Sequence, residues 1–161
     1  MLIRHLIVVL VGVALAASST AGASPRQQDA GSFLRQVVGD FAANRYGDAW
    51  PSLYSAQRAA IPRDHYIACE RLTSIPAGHT VVEVLRVRSV RIRIAGGSRD
   101  PVRAFAVRLR ITITRAQSAQ RDTVVTTAHA VPVASGWSWI LTPKRFAADR
   151  SSDCGLLQSS L

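Results

Sequence analysis

The chain has 161 residues, a net charge of +10 and aromatic residues at only 6% of its length. That size fits one domain that buries a real core, and the scarcity of rings argues against a single-strand nucleic-acid platform, which interleaves basic groups with stacking aromatics. Two cysteines with no C-x-x-C spacing give no indication of a dithiol redox centre.

Residues 1–23, "MLIRHLIVVLVGVALAASSTAGA", open with Arg4 and His5, continue with an apolar run from Leu6 to Ala17 and finish on small residues. This is the pattern of a secretory signal peptide cleaved near Ala23. The alternative, an uncleaved anchor, is disfavoured because the run is about 12 residues, short of the roughly 20 a spanning helix needs. Export to an oxidising compartment and an even cysteine count predict a Cys69–Cys154 disulfide. Its loop of about 86 residues corresponds to roughly 4–5 kcal/mol in the chain-entropy model. The competing state is two free thiols.

Residues 24–31 read as a polar linker, residues 32–154 as the folded domain and residues 155–161 as a loose tail. Ser32 is placed to cap a first helix whose stripe is Phe33, Val37, Val38, Phe41 and Ala42. Its end is expected near Asn44–Gly47. "GDAWPSLYSAQRAAI" predicts a second helical segment carrying Trp50, Leu53 and Tyr54. "PRDHYIACERL" predicts a third, with Tyr66, Cys69 and Leu72 on one face. From His79 the apolar period falls to two. The first strand, 81–94, changes phase, and a β-bulge is expected near Arg88–Ser89. A turn at 96–101 leads to a second strand with Arg103, Phe105, Val107, Leu109, Ile111 and Ile113 on one face, and Ala104, Ala106, Arg108, Arg110, Thr112 and Thr114 on the other. Residues 123–133 form the third strand and "WSWIL" the fourth, with Trp137 and Trp139 on one face. The chain from Pro143 onward reads as irregular.

Nineteen arginines against one lysine form the basic excess. Arg108 and Arg110 alternate with apolar residues as the wet side of a half-exposed antiparallel sheet does. Solvated sheet is therefore the first reading. Weak association with an anionic surface is the second, since net charge alone supports it. No nucleic-acid-binding motif is present.

No cluster of His and Cys with zinc spacing, no nucleophile elbow and no phosphate-cradling glycine loop occurs, and no cofactor or metal is expected. The remaining chemical candidates are Tyr46, Trp50, Tyr66, His129 and Trp139, with Asp64 and His65 at the start of the third helix. The tyrosines and tryptophans equally read as core, Asp64 as a helix-dipole partner, and His129 as a satisfied strand residue.

In order and pattern, "FLRQVVGDFAANRYGDAWPSL", "IPRDHYIACERL", the bent strand "TVVEVLRVRSVRIRI" and "SGWSWIL" resemble the nuclear-transport-factor-two-like superfamily. That superfamily has a cone-shaped α+β roll, also described as cystatin-like, and includes ketosteroid isomerases and polyketide-cyclase-like proteins. The resemblance covers roughly residues 32–142 and is nearest to small exported members with a cysteine in the third helix and another late in the chain. It implies N-terminal helices packed on a curved four-stranded antiparallel sheet, an apolar pocket between them and a tendency to homodimerise through the sheet. Tyr46, Trp50, Tyr66, His129 and Trp139 are then the candidate ligand-binding residues. A full isomerase set of base and oxyanion donors does not map onto the chain, whose strand region offers only Glu83, Asp100 and Asp122. The expectation is an exported, non-catalytic module that binds a small apolar ligand or a protein partner. The alternatives are a cofactor-free acid–base enzyme, with His129 or Asp64 moving a proton beside Tyr46 or Tyr66, and a cationic envelope-associated protein.

Overall fold

The computed structural model describes residues 24–72, 78–116, 118, 120–151 and 153–154. The expected signal peptide (1–23) and loose tail (155–161) lie outside the described residues. Helix α1 spans Pro25–Ala42, α2 Tyr46–Ala49, a 3-10 turn Trp50–Ser52, α3 Ser55–Ala60 and α4 Arg63–Leu72. Strands β1 (Gly78–Ile92), β2 (Val102–Arg115), β3 (Arg121–Val133) and β4 (Gly136–Trp139) follow, and α5 (Pro143–Ser151) closes the order. The fold is α+β: helices, then an antiparallel sheet of order β1-β2-β3-β4.

The expected linker at 24–31 is instead the start of α1. Pro25 stands at the first helical position, where its missing N–H costs nothing. The Ser24 N–H donates to Gln27 Oε1 at 2.7 Å, so Ser24 rather than Ser32 begins the helix. The polar run misleads because its residues face water while Ala30 and Gly31 face inward. A Cβ on Gly31 would stand 3.3 Å from a Val84 methyl, which shows how closely α1 lies on β1. The inward stripe is Ala30, Leu34 and Val37, with Phe41 packed against it. Asn44, with φ +56°, takes the left-handed position just past the helix, a role Asn fills when Gly does not.

In α4 the buried residues are Tyr66, Cys69 and Glu70, and Leu72 is 56% exposed. The buried face therefore follows i, i+3, i+4 rather than continuing to Leu72.

The β-bulge lies earlier than expected. Val84 pairs with Leu109 and Arg86 with Arg108, leaving Leu85 as the extra residue. The phase change at Val87–Val90 has another cause, because both faces of the sheet are covered there. Val87 belongs to the main core with Val107 and Phe105. Val90 and Ile92 face the other way and pack with Ile94, Ala104 and Val131 in a second cluster that Tyr54 and Ile140 join.

Gln57, fully buried, ties the ends of the sheet together. Its amide donates to Ala95 O at 3.1 Å and Leu141 O at 3.3 Å, and its Oε1 accepts from the Leu141 N–H at 2.8 Å. The chain just past β1 thus meets the chain just past β4, although these are opposite edges, so the sheet is rolled. Leu53 adds a parallel bridge to Trp139.

The segment from Pro143, expected to be irregular, forms α5. Phe146 of this helix is buried against Gly96, whose φ is +77° and where a Cβ would fall 2.5 Å from the ring. The short approach and the left-handed backbone both call for glycine. The expected disulfide is present: Cys69 and Cys154, with Cα atoms 5.1 Å apart, fasten α4 to the turn after α5.

Candidate functional site

Between α1, the sheet and the segment leading into α5 lies a cavity of about 420 Å³. Leu34, Val37, Val38 and Phe41 supply the helical wall, Ile111 and Ala128 the sheet, and Trp139, Leu141 and Arg145 the far side. The wall exists because α1 presents four apolar side chains over two turns to a sheet face of β-branched and aliphatic residues.

Four of the five candidate residues, Tyr46, Trp50, Tyr66 and Trp139, join one chain of ring contacts that also includes Phe41. The Phe41 ring stands edge-on to the Trp139 indole at 5.3 Å and lies 5.8 Å from the Tyr46 ring; Tyr66 lies 6.2 Å from Trp139 and 5.0 Å from Trp50. The Trp139 indole N–H donates to Ala49 O at 2.9 Å, so this ring is fixed by a hydrogen bond as well as by packing. Tyr46, Tyr66 and Trp139 are buried members of the main core, and Trp50 packs against it. Of the four, Trp139 borders the cavity.

His129, the fifth, also borders the cavity but does not join the aromatic group. It pairs with Ala106, which in turn pairs with Arg88, on the opposite face from Phe105 and Val107. Partial burial and then the Arg88 charge lower its pKa. Asp64 is exposed at the start of α4. Among the described residues neither His129 nor Asp64 hydrogen-bonds a tyrosine hydroxyl; Tyr46 donates instead to Asn44 Oδ1 at 2.7 Å.

The sequence reading missed a polar cluster behind Trp139. Glu70 follows Tyr66 by one helical turn on the buried face of α4 and is ion-paired to Arg145 of α5. Asp149, one turn beyond Arg145, is fully buried, and neither of its carboxylate oxygens has a hydrogen-bond partner among the described residues. The Tyr66 hydroxyl is in the same position. Burial pushes Glu70 up to about 7 against the pull of Arg145, with Asp149 adding to the rise. Burial likewise pushes Asp149 up to about 6, again opposed by Arg145. Tyr66 and Tyr46 are raised, first by burial and then by the Glu70 charge.

Two carboxyl groups raised toward neutrality thus lie within the field of one guanidinium, which is ion-paired to Glu70 and also borders the cavity. The cluster can hold or release a proton close to pH 7, which an exposed carboxyl cannot. One signal was legible: "YIACE" places Glu70 four residues after Tyr66 and beside Cys69. Asp149 and Arg145 were hidden because their helix was not expected. Among the described residues no group of three or more His, Cys, Asp or Glu is placed to hold a metal ion, and no helix is long and apolar enough to cross a membrane.

No family model, no curated protein and no solved structure matches this chain.

Proposed function

We propose that the protein is an exported, non-catalytic binding module whose cavity holds one small, mainly apolar ligand. The observation that carries this reading is the cavity of about 420 Å³, walled by Leu34, Val37, Val38 and Phe41 opposite Trp139. Binding sites of this kind combine an apolar wall with a few polar groups at fixed positions, and Arg145 is such a group. The leader pattern at 1–23 and the disulfide support export. The cone-shaped roll of the resembled superfamily supports a pocket between helix and sheet.

The test uses the full chain produced through an oxidising compartment. Native mass spectrometry reads any retained ligand, and titration with the neutral apolar dye Nile red reads the cavity. One-to-one saturable binding, weakened at least about ten-fold by Val38→Trp with an unchanged melting temperature, is the expected result. Dye binding that is indifferent to Val38→Trp, or no retained ligand and no dye binding, overturns it.

A second reading, the cofactor-free acid–base enzyme, has one observation in its favour: Glu70 and Asp149 titrate near neutrality behind a cavity that Arg145 borders. It predicts that a co-purified ligand is converted to a product by the wild-type chain and not by Glu70→Gln. An unaltered ligand with both proteins rejects it.

A further inference from the structure

The face of the sheet turned away from α1 carries a second concavity, of about 550 Å³. We propose that it is a binding site for a soluble multivalent phosphate, held by Arg86, Arg88 and Arg108 over Ala106.

The register places these groups together. Arg86 lies directly opposite Arg108, which pairs onward with Thr127; the next row on the same face is Arg88, Ala106 and His129. The bulge at Leu85 creates this arrangement, since it alone puts Arg86 on the same face as Glu83. Like charges directly opposite in an antiparallel pair are destabilising, and Arg86 opposite Arg108 is such a pair, which a bound anion would relieve. No acid relieves it. Among the described residues, Glu83 pairs with Arg110 at 2.8 Å and Asp122 with Arg115 at 2.8 Å, and no carboxylate lies within ion-pair distance of Arg86, Arg88 or Arg108. Ala106 is 3% exposed beneath these side chains, and a small floor leaves room above it.

Guanidinium forks bind phosphate oxygens through paired, charge-assisted hydrogen bonds. Three forks around one hollow suit a ligand with several phosphate oxygens and two or more charges. A lipid bilayer fits less well: besides His129, the side chains other than arginine and glutamate in the rows from Val81 to Arg88 are valine, threonine and alanine, with no long apolar group to enter a membrane. The same rows contain no Phe, Tyr or Trp on which bases could stack, which disfavours single-stranded nucleic acid.

The test is calorimetric titration of the full chain with inorganic pyrophosphate at low ionic strength, paired with amide chemical shifts of Arg88 and Ala106, which line this hollow and not the cavity. Saturable one-to-one binding is expected, with shifts at both amides and at least about ten-fold weakening in Arg86→Gln and in Arg108→Gln. Arg91→Gln, on the opposite sheet face beside Arg103, is the control and stays within about two-fold of wild type. Vesicles of anionic phospholipid form the second arm. Binding to vesicles without binding to pyrophosphate, a titration that does not saturate, or equal loss in Arg91→Gln overturns the proposal. None of these outcomes touches the cavity reading, which Val38→Trp tests on the other face.

Discussion

The two faces of the sheet hold the same kind of pair in opposite surroundings. On the open face Glu83 and Arg110 meet at 2.8 Å with about half of each side chain exposed. On the helix-covered side Glu70 meets Arg145 with the Glu70 side chain 2% exposed. Water and salt screen the first pair, so it contributes little. In the second the carboxylate has lost its hydration, and that cost outweighs the pull of Arg145, whose side chain is 29% exposed. A short charge–charge distance therefore says little until the surroundings are known. The difference also separates the proposed roles: the covered side offers an apolar hollow beside groups that titrate near neutrality, and the open side offers permanent positive charge.

The comparison is broken most directly by deleting one partner on each side. Glu70→Ala removes a buried carboxyl ion-paired to Arg145 and is expected to cost about 2–4 kcal/mol in urea unfolding, whereas Glu83→Ala costs less than about 1 kcal/mol. Equal effects would erase the distinction between the faces. Next in size is the cross-link that holds α4 to the turn after α5. Cys69→Ser with Cys154→Ser is expected to lose about 2–5 kcal/mol, read by the same denaturation curves, and to loosen the region around Glu70 before the open strands in hydrogen exchange.

A pH series sharpens the contrast. Glu70 and Asp149 are raised in the folded protein to about 7 and about 6. The folded state therefore binds more protons than the unfolded chain between the ordinary carboxyl range and neutrality. Stability is highest below that range and falls as pH rises through it, levelling off above about 7, by on the order of 1–3 kcal/mol. Glu70→Gln should flatten much of this slope in melting temperature measured from pH 4.5 to 8; an unchanged slope would remove Glu70 as its source. The smallest effect belongs to the open face. Arg108→Gln removes a like-charge neighbour of Arg86 and should change stability by no more than about 0.5 kcal/mol, toward greater stability at low salt. A large loss would mean that Arg108 is structural.

Period and turn chemistry made much of the fold legible. The change of apolar rhythm at His79 marked where helices give way to strands, and β2 alternates as Phe105, Val107 and Leu109 against Arg108 and Arg110 require. Export logic and an even count identified the Cys69–Cys154 bridge. The failures share a cause. Residues 25–31 and 143–151 are helical with few apolar residues, and short amphipathic helices of that kind are stabilised by what they pack on rather than by their own pattern. The bulge was misplaced for the same reason: a sheet strand covered on both faces, at Val87 on one and Val90 on the other, imitates a slip in register. Of the candidate site, the aromatic members were readable as large residues at helical and strand spacing, but whether they would line a hollow or fill the core was not.

The sequence by itself determined where the N-terminal helices give way to strands, the alternation that sends Arg108 and Arg110 to one side of the sheet and the cysteine cross-link, because each follows from local spacing or from simple pairing of like groups. Tertiary structure decided the rest. Only the rolled sheet, fastened through Gln57, brings α5 against α4, and that approach helps to withdraw Glu70 and Asp149 from water and shifts their proton affinity. Burial is a property of what distant segments do to one another, and a carboxyl group's chemistry depends on the solvent it loses as much as on the residue it is.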